Sequence, residues 1–576
     1  MHILLFLRKI IGIIDKELES KFVTLIVFSI VVSFIELLGV SLIMPLIELS
    51  TDPSVIQTNQ YYKVFFNYFN FKSQNNFAIS FGIFLLMFYF FRGFIVLLHS
   101  YYITKFSQNV YSSLVKQLFK RYLHMSYEFF TQNNKSTFSK SIITEASLVS
   151  NSVSALLTLI SEVFVVLMIY ILMLYVDFTI TMFVTVIVAL KVLFLTNTVS
   201  KRIKLKGVER AKIQQEFYKI LNRFFSDYKN IKLQGDDAQE SLSKEFSLYA
   251  NKYAYINTIF GVLSSIPRVF IETTGFGMAV LFIIFLLMSG DGEIQNFLPT
   301  IGLYVVALYR LLPSVNRIMG GYNTIAYNGK STDIVLDHLN IAIEKVSKQN
   351  IPFNKEIFIQ SINFSYQGSK KIITNCSLSI KKNERIAIVG ESGSGKSTLV
   401  DLISGLLTLS SGKILIDGIE LSSNNLQNWR EKIGYIPQNI FIFNGTYKEN
   451  ISLSLKAKKI INKQRAVKSE KIAMIDSHIR SSKKKYETII SHKGRNISGG
   501  QIQRLGIARG LYKDSKIIIF DESTNAIDRN NESKIYKNLN RKYKDKIFIF
   551  VSHKKINDNF FNKEYSLINK RLIRKK

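Results

Sequence analysis

The chain has 576 residues, more than a single hydrophobic core organises, so the sequence predicts at least two domains. Hydrophobic residues make up 47% of it and gather in long runs before about residue 320, which is typical of a membrane protein and excludes an ordinary soluble one. The net charge of +33 would favour nucleic-acid binding in a soluble protein, but lysines in cytoplasmic segments near an anionic leaflet account for it here. We therefore expect no nucleic-acid partner, and the single cysteine, Cys376, excludes an intramolecular disulfide and a cysteine-rich metal site.

The N-terminal part of the chain predicts membrane helices. Residues 1–20 hold an apolar stretch that is too short to span a bilayer and is broken by Arg8 and Lys9, which predicts an interfacial elbow helix rather than a signal peptide. Six longer runs then approach or exceed the ~20 residues that a bilayer core requires. They predict spans at about 22–47, 78–104, 150–176, 178–200, 255–289 and 296–320.

Basic residues set the orientation of these spans. The connection between the second and third spans is rich in lysine and arginine, and the one between the fourth and fifth begins with the basic run 201–206. By contrast, Ser289-Gly290-Asp291-Gly292-Glu293 joins the last two spans without a basic residue. The positive-inside rule therefore places both chain ends and both long connections in the cytoplasm, where the connections are predicted to extend the spanning helices.

The connection after the first span predicts an external helix at about 52–70. Asp52-Pro53 is a helix start, with a capping side chain followed by proline. Aromatic side chains then recur at helical spacing, at Tyr61, Tyr62, Phe65, Phe66 and Phe69. Such a stripe either holds a lipid tail at the outer interface, with Tyr62 and Phe66 as candidate contacts, or is an anchor or packing face.

Charged residues inside the spans are costly and therefore indicate function. Four arginines fall within or at the edge of the apolar runs: Arg92, Arg268, Arg310 and Arg317. A guanidinium group binds phosphate through two parallel hydrogen bonds, so these arginines predict a site for an anionic substrate such as a pyrophosphate. Internal pairing is an equal alternative, because Glu36, Glu162 and Glu272 are also intramembrane and Arg268 precedes Glu272 by four residues.

Residues 1–340 are thus a predicted transmembrane domain and residues 341–355 a polar linker. From 356 to 576, strand-like apolar runs alternate with helical stretches, which predicts an α/β domain with a parallel sheet. After the strand-like run Arg385–Val389, the pattern G-x-x-x-x-G-K-[ST] predicts a P-loop ATPase. Its residues are Gly390, Glu391, Ser392, Gly393, Ser394, Gly395, Lys396, Ser397 and Thr398. Lys396 is expected on the β- and γ-phosphates of ATP, and the Ser397 hydroxyl on Mg²⁺.

Further motifs follow in order. The strand-like run Ile517–Phe520 ends in Asp521 and Glu522; the first carboxylate suits Mg²⁺ and the second can polarise the attacking water. Upstream, Ile497-Ser498-Gly499-Gly500-Gln501 precedes a helical run. Gln438 and His553 each follow a strand-like run, where ligand sites of parallel sheets form.

This set resembles the nucleotide-binding domain of an ATP-binding-cassette (ABC) transporter. The resemblance implies that Tyr366 stacks on adenine, that Gln438 senses Mg²⁺, and that Ser498, Gly499, Gly500 and Gln501 form the signature facing the ATP of a second subunit. It also implies Glu522 as catalytic base, Asp528 as the D-loop aspartate and His553 as the switch histidine. Two residues depart from the family pattern: Ile497 stands where leucine is usual, and His492 where the cross-talk loop has an acidic residue.

One membrane domain and one cassette imply a half-transporter that works as a homodimer with two composite ATP sites. The segments Ser126–Phe130 and Phe225–Lys229 lie where such exporters place their coupling helices. The fold class expected is therefore a six-span, all-α membrane domain of ABC exporter type with an α/β P-loop ATPase.

Over nearly the whole chain, the sequence is also similar to the PglK-type flippases of bacterial N-glycosylation. The similar stretches are Phe90–Arg92, Phe130–Gln132, Ile266–Arg268, Ala307–Leu311 and Pro313–Arg317. The resemblance implies ATP-driven flipping of a polyprenyl-pyrophosphate-linked oligosaccharide to the outer leaflet of the bacterial inner membrane, with the cassette in the cytoplasm. Export of another amphipathic anionic cargo (a lipid A-like lipid, a peptide or a drug) is the alternative, and a non-transport, ATP-dependent signalling protein is the second alternative.

Overall fold

The computed structural model describes the chain except residues 1, 14, 52–53, 177, 290–293, 346, 348, 367–369, 454–461, 492–495, 554–559 and 576. Three predicted features therefore lie outside the described residues: the Asp52-Pro53 helix start, residues 290–293 of the acidic connection, and His492. The chain divides into two compact units. The first comprises residues 1–124 and 133–341, and the second comprises residues 125–132 and 342–576.

The first unit is helical. Its α-helices are α1 (His2–Ile11), α2 (Lys16–Ser41), α3 (Ile43–Thr51), α4 (Val55–Thr58), α5 (Gln60–Tyr68), α6 (Gln74–Leu123), α8 (Lys135–Lys140), α9 (Ala146–Val176), α10 (Phe178–Leu195), α11 (Lys201–Ser226), α12 (Tyr228–Leu233), α13 (Asp236–Ser289) and α14 (Ile294–Leu339). The helix α7 (Tyr127–Gln132) belongs to the second unit. Short π-helical segments, Ser141–Glu145 and Thr196–Ser200, join α8 to α9 and α10 to α11.

Within the described residues, four helical stretches are long and apolar enough to cross a membrane: Lys16–Ser50, Gln74–Leu123, Lys135–Val176 and Asp236–Thr273. They coincide with the first, second, third and fifth predicted spans. The predicted spans at 178–200 and 296–320 coincide with α10 and its π-helical continuation, and with α14. Helices α6 and α13 run beyond the predicted apolar limits into the two long connections, and α11 follows the fourth predicted span, as the sequence predicts.

Small residues let these helices approach closely. A Cβ on Gly207 of α11 would lie 2.1 Å from the Tyr327 carbonyl oxygen of α14, so only glycine fits at this crossing. The hydroxyls of Ser107 on α6 and Ser150 on α9 each donate to the other residue's carbonyl oxygen at 2.7 Å, and their two oxygens lie 2.9 Å apart. Such contacts satisfy polar groups that are buried between helices.

The second unit is α/β. Its remaining helices are α15 (Lys396–Ile403), α16 (Leu426–Glu431), α17 (Tyr447–Ser452), α18 (Lys463–Ile472), α19 (Asp476–Ser481), α20 (Gly499–Tyr512) and α21 (Arg529–Lys542). Its strands are β1 (Glu356–Phe364), β2 (Ile373–Lys381), β3 (Arg385–Val389), β4 (Ser411–Ile416), β5 (Ile419–Glu420), β6 (Ile433–Ile436), β7 (Gly445–Thr446), β8 (Ile489–Ile490), β9 (Ile517–Asp521), β10 (Ile547–Ser552), β11 (Lys563–Ile568) and β12 (Arg571–Arg574).

The main sheet has six strands in the order β12-β11-β3-β10-β9-β6, and all of its pairs are parallel except β11–β12. Strands β3, β9 and β10 are almost fully buried runs of isoleucine, valine, alanine and phenylalanine, as a sheet covered on both faces requires. A four-stranded antiparallel sheet, β2-β1-β4-β5, lies in the same unit. The parallel pairing brings the C-terminal ends of β3, β6, β9 and β10 to one edge.

The linker is not a loose connector. Ile351 and Phe353 are buried in the hydrophobic core of the second unit, and Glu344 pairs with Arg430 at 2.5 Å. Ile343 also forms an antiparallel bridge with Met125, just before α7. The residues that precede β1 are thus part of the α/β unit.

Candidate nucleotide and substrate sites

The turn between β3 and α15 is shaped for a bound anion. Gly393 and Gly395 have φ of +77° and +103°, in the left-handed region that favours glycine. A Cβ on Gly390 would lie 2.9 Å from the Ser394 hydroxyl oxygen. Helix α15 begins at Lys396, and the N–H groups of its first turn have no partner within the helix. Glycines and a helix start together form a phosphate cradle.

Lys396 lies buried at the centre of this cradle. Its Nζ donates to the carbonyl oxygens of Gly390 at 2.9 Å and Glu391 at 2.8 Å, which hold the ammonium group without neutralising it. The Ser394 hydroxyl oxygen is buried and has no hydrogen-bond partner among the described residues. A phosphate oxygen accepts from both an ammonium and a hydroxyl group, so the side chains fit a triphosphate. Ser392 lies on the turn between β3 and α15, and Thr398 lies on the first turn of α15.

The pair of Ser397, on α15, and Asp521, at the end of β9, suits a divalent cation. The Ser397 hydroxyl donates to Asp521 Oδ1 at 3.4 Å, which brings together two oxygen ligands of the kind that Mg²⁺ prefers. Tyr435, on β6, donates to the other carboxylate oxygen of Asp521 at 2.7 Å. Burial, with the Asp521 carboxylate beside it, raises the pKa of Asp401 to about 6, and burial also raises the pKa of Asp521. Two neighbouring carboxylates that are costly to ionise fit a site completed by a cation.

Glu522 lies close to the other two predicted catalytic residues, Gln438 and His553. Its Oε2 accepts from Gln438 Nε2 at 2.9 Å and from Asn525 Nδ2 at 3.4 Å, and lies 3.6 Å from His553 Nδ1. The backbone of Glu522 has φ of +50°, and its N–H donates to the Val551 carbonyl oxygen at 3.1 Å. A non-glycine residue in this region carries backbone strain, of a kind that clusters at active sites. Three separate strand ends therefore place Gln438, Glu522 and His553 together.

The signature begins α20 within the same unit. Ser498 is the N-cap: its hydroxyl accepts from the Gln501 backbone N–H at 3.3 Å, while the Gln501 side chain accepts from the Ser498 N–H at 2.8 Å. This reciprocal capping box fixes the helix start. A Cβ on Gly499 would meet open space, whereas one on Gly500 would lie 3.1 Å from the Ala526 carbonyl oxygen.

Two further predicted residues have clear local roles. Asp528 caps α21, since its Oδ1 accepts from the Asn531 backbone N–H at 2.9 Å. Tyr366 packs against the core of the α/β unit, with its ring 5.0 Å from that of Phe364. Sequence reasoning missed Tyr435, Asn525 and Gln503, whose side-chain oxygen accepts from the Ala526 N–H at 2.7 Å and so ties the signature helix to the segment before α21.

In the helical unit, all four predicted arginines are paired. Arg92 donates to Glu36 from Nη2 at 2.5 Å and from Nε at 3.0 Å, and Arg310 donates to the same Glu36 oxygen at 2.7 Å. Arg317 donates to Glu162 at 2.6 Å, and Arg310 also approaches Glu162 at 3.8 Å. Arg268 pairs separately with Glu272 at 2.9 Å.

The intramembrane cluster of Glu36, Glu162, Arg92, Arg310 and Arg317 is therefore a network rather than a set of free cations. Both glutamates are buried, and Arg310 is 13% exposed, but the Arg317 side chain is 53% exposed. Three guanidinium groups share two carboxylates, so one positive charge remains in excess. Arg317 is the most exposed of the three arginines, so the excess positive charge is most accessible there.

The external helix α5 presents two faces. Tyr62 and Phe66, the predicted lipid contacts, pack against the buried cluster of Leu49, Ile56 and Phe77, and Tyr62 donates to Glu48 at 2.9 Å. This position agrees with the packing-face alternative, and contact of these two residues with a lipid tail stays a prediction. The aromatic side chains that α5 and its C-cap expose are Tyr61, Phe65, Tyr68 and Phe69.

The two predicted coupling segments fall in different units. Ser126–Phe130 lies in the stretch that belongs to the α/β unit, where its Tyr127 has a pKa raised by burial and by Asp401, Tyr366 and Asp521. Phe225–Lys229 lies in the helical unit, between α11 and α12. The first segment is thus within electrostatic reach of the nucleotide site.

Comparison with known families agrees with this architecture. Residues 22–309 match the family described as ABC transporter transmembrane region, and residues 373–525 match the family described as ABC transporter. In fold, the chain is similar to a bacterial Atm1-family ABC exporter with ATP bound, with a TM-score of 0.79, 19% identity, and coverage of 97% of this chain and 95% of that one.

Curated relatives match most of the chain. An ATP-dependent lipid A-core flippase of Psychrobacter cryohalolentis is 28% identical over 82% of this chain and 78% of its own length, and one of Ralstonia nicotianae is 24% identical over 79% and 77%. The alpha-hemolysin translocation ATP-binding protein HlyB of Escherichia coli O157:H7 is 36% identical over 39% of this chain and 32% of its own length.

These findings confirm the predicted fold class and the predicted ATPase activity. The predicted likeness to oligosaccharide flippases is supported only at the coarser level of an exporter, since the relatives above that match most of the chain are lipid A-core flippases. The chain therefore belongs to the ABC transporter family, as an exporter half-transporter whose cassette couples ATP hydrolysis to transport across a membrane.

Proposed function

We propose that two copies of this chain form an ATP-driven flippase, which moves an amphiphilic lipid with a phosphate-bearing headgroup to the outer leaflet of the bacterial inner membrane. The observation that carries this proposal is the excess positive charge of the arginine–glutamate network, which lies nearest to open space at Arg317. A network with a net positive charge favours an anionic headgroup over a neutral drug.

The proposed hydrolysis uses residues of both copies. Lys396 and the backbone N–H groups of the phosphate loop bind the β- and γ-phosphates of ATP, and Ser397 and Asp521, with Gln438, would hold Mg²⁺. When bound, Mg²⁺ supplies positive charge to the phosphate oxygens. Glu522 accepts the proton of the attacking water, and the side-chain amides of Gln438 and Asn525 orient its carboxylate.

The second copy completes each site. Ser498, Gly499 and Gly500 start a helix whose unpaired N–H groups suit the γ-phosphate of the partner's ATP. In this proposal ATP closes the two cassettes, and hydrolysis releases them. The segments Ser126–Phe130 and Phe225–Lys229 transmit that change to the spanning helices.

The chemistry of the lipid has two candidates. Relatives named as lipid A-core flippases support a lipid A-like cargo. A polyprenyl-pyrophosphate-linked oligosaccharide for protein N-glycosylation is the second candidate, favoured by the exposed aromatic side chains of α5, since Tyr61, Phe65 and Tyr68 offer an apolar surface to a long tail.

Reconstitution in liposomes tests the proposal. Purified protein should move a phosphate-bearing lipid across the bilayer in an ATP-dependent way, assayed with lipid A-like and polyprenyl-pyrophosphate substrates side by side. Arg317→Ala should slow that movement while basal ATP hydrolysis continues, and Arg223→Gln, which alters an exposed arginine paired with Glu245, is the matched control. Unchanged translocation by Arg317→Ala would remove the arginine network from the cargo site.

A further inference from the structure

A histidine of the α/β unit links the signature helix to a segment that follows Gln438 in the chain. His478, on α19, lies between Tyr447 at the start of α17 and Gln501 on the first turn of the signature helix α20. Its Nε2 is 3.0 Å from the Tyr447 hydroxyl, and its Nδ1 is 3.2 Å from Gln501 Nε2. Tyr447 is almost fully buried, so this side of the contact is fixed by packing.

The hydrogen bonds of Gln501 determine the tautomer of His478. The Gln501 side-chain oxygen accepts from the Ser498 N–H at 2.8 Å, so its amide nitrogen faces His478 as a donor. His478 Nδ1 must therefore accept, and the proton of the neutral ring lies on Nε2, which donates to Tyr447. Burial, with the Arg504 guanidinium nearby, lowers the pKa of His478, in keeping with a neutral ring.

The same two segments are also tied at the other end of α20. Arg509 donates to the Asn450 carbonyl oxygen at 2.8 Å and to the Phe441 carbonyl oxygen at 2.9 Å. Asn450 in turn closes the chain from Phe443 to Thr446 through its side-chain amide. The segment that follows Gln438 is thus held to α20 by Arg509 near its C-terminal end and by His478 near its N-terminal end.

We infer that His478 is a positioning residue for the signature: through Gln501 it holds the capping box of Ser498 in the geometry that receives the partner's ATP. The inference rests on the proposed sharing of each ATP between two cassettes. His478 touches neither nucleotide nor water in this scheme. It acts by accepting a hydrogen bond from the half-buried Gln501 side chain, which keeps the other end of that amide, its oxygen, on the Ser498 N–H.

Histidine variants can separate the two contacts. In His478→Asn the side-chain oxygen replaces Nδ1 and still accepts from Gln501, whereas in His478→Gln the amide replaces Nε2 and still reaches Tyr447. We expect His478→Gln to lower kcat for ATP hydrolysis about three- to tenfold, which is the effect of losing one net hydrogen bond. His478→Asn should retain most of the parent protein's kcat. Tyr447→Phe, which keeps the Gln501 contact, should resemble His478→Asn.

ATP occlusion gives a readout besides turnover. In a Glu522→Gln background, which blocks hydrolysis, labelled ATP retained after gel filtration reports closed cassettes. His478→Gln should retain less ATP than His478→Asn, while ATP affinity at the open phosphate loop and the melting temperature stay equal between the two. If both variants lose occlusion and melting temperature in parallel, His478 acts only in folding, and the inference is wrong.

A Ser498→Arg variant in the same background separates this inference from the proposed function. If Ser498→Arg still occludes ATP, the shared site itself is wrong. If Ser498→Arg abolishes occlusion while His478→Gln occludes as well as the parent, the shared site stands and the positioning role of His478 is overturned.

Discussion

Arg310 donates a 2.7 Å hydrogen bond to Glu36, and this contact joins α14 to α2 across 274 residues of sequence. Glu36 also accepts from Arg92 of α6, so one buried carboxylate holds two guanidinium groups. Removing one partner of a buried ion pair costs more than the pair contributes, because the remaining charge is left without compensation.

We therefore predict that Glu36→Gln destabilises the helical unit by about 3 to 5 kcal/mol. The measurement is thermal or denaturant unfolding of the full-length protein in detergent. The double variant Glu36→Gln with Arg92→Gln removes one charge of each sign and should recover part of the loss. If the single and double variants are equally unstable, the pairing of these two side chains contributes little.

Tyr435 is predicted to position the Asp521 carboxylate, to which it donates at 2.7 Å. Outer-shell hydrogen bonds of this kind typically contribute about 10- to 100-fold to metal affinity. Tyr435→Phe should weaken Mg²⁺-dependent nucleotide binding by about tenfold, as measured by titration with Mn²⁺ and nucleotide followed by electron paramagnetic resonance. Nucleotide binding without metal should not change.

Tyr536→Phe is the matched control for that experiment, since Tyr536 donates to Glu532 at 2.7 Å on α21. It removes a comparable tyrosine–carboxylate hydrogen bond outside the predicted Mg²⁺ site. Equal Mn²⁺ affinity in Tyr435→Phe and the parent protein would show that Asp521 needs no support from β6.

Glu470 is predicted to make the stability of the α/β unit depend on pH. It is fully buried on α18, accepts from Tyr486 at 2.7 Å through one oxygen, and has no hydrogen-bond partner for the other among the described residues. Burial raises its pKa from 4.5 to about 7. Between these two values the folded state keeps a proton that the unfolded state loses, so the free energy of unfolding falls as pH rises through this window.

The expected loss attributable to Glu470 is about 3 kcal/mol between pH 4.5 and 7, and it is absent from Glu470→Gln. Trp429, the chain's single tryptophan, is buried in the core of the α/β unit and reports urea unfolding of the full-length protein by fluorescence. Glu532→Gln alters another tyrosine-bonded carboxylate as a control. Parallel pH curves for Glu470→Gln and the parent would contradict the prediction.

Most of the nucleotide site could be predicted from the sequence because that site is built from local motifs. The glycine spacing, the strand-like runs and the terminal carboxylates each depend on neighbours in the chain, and the parallel sheet then brings Gln438, Glu522 and His553 to one edge. The fold class followed in the same way from hydrophobic run lengths and from the alternation of strands with helices.

What the sequence left open depended on distant side chains. Four arginines and three glutamates in the spans were visible, but which pairs form is decided by how α2, α6, α9 and α14 pack. The stripe on α5 showed helical periodicity without showing which aromatic residues face the protein. His478 has no neighbouring motif, since its partners Tyr447 and Gln501 lie 31 and 23 residues away.

The discontinuous α/β unit has a consequence for biosynthesis. Met125, at the start of the first piece, leaves the ribosome about 200 residues before Ile343, its bridge partner. At ~5–20 residues per second, translation takes about 10 to 40 s to cover that distance. During this interval the first piece, which includes Phe129 and Phe130, lacks the rest of the α/β unit, so we expect the nascent chain to expose a transient apolar segment that chaperones can recognise.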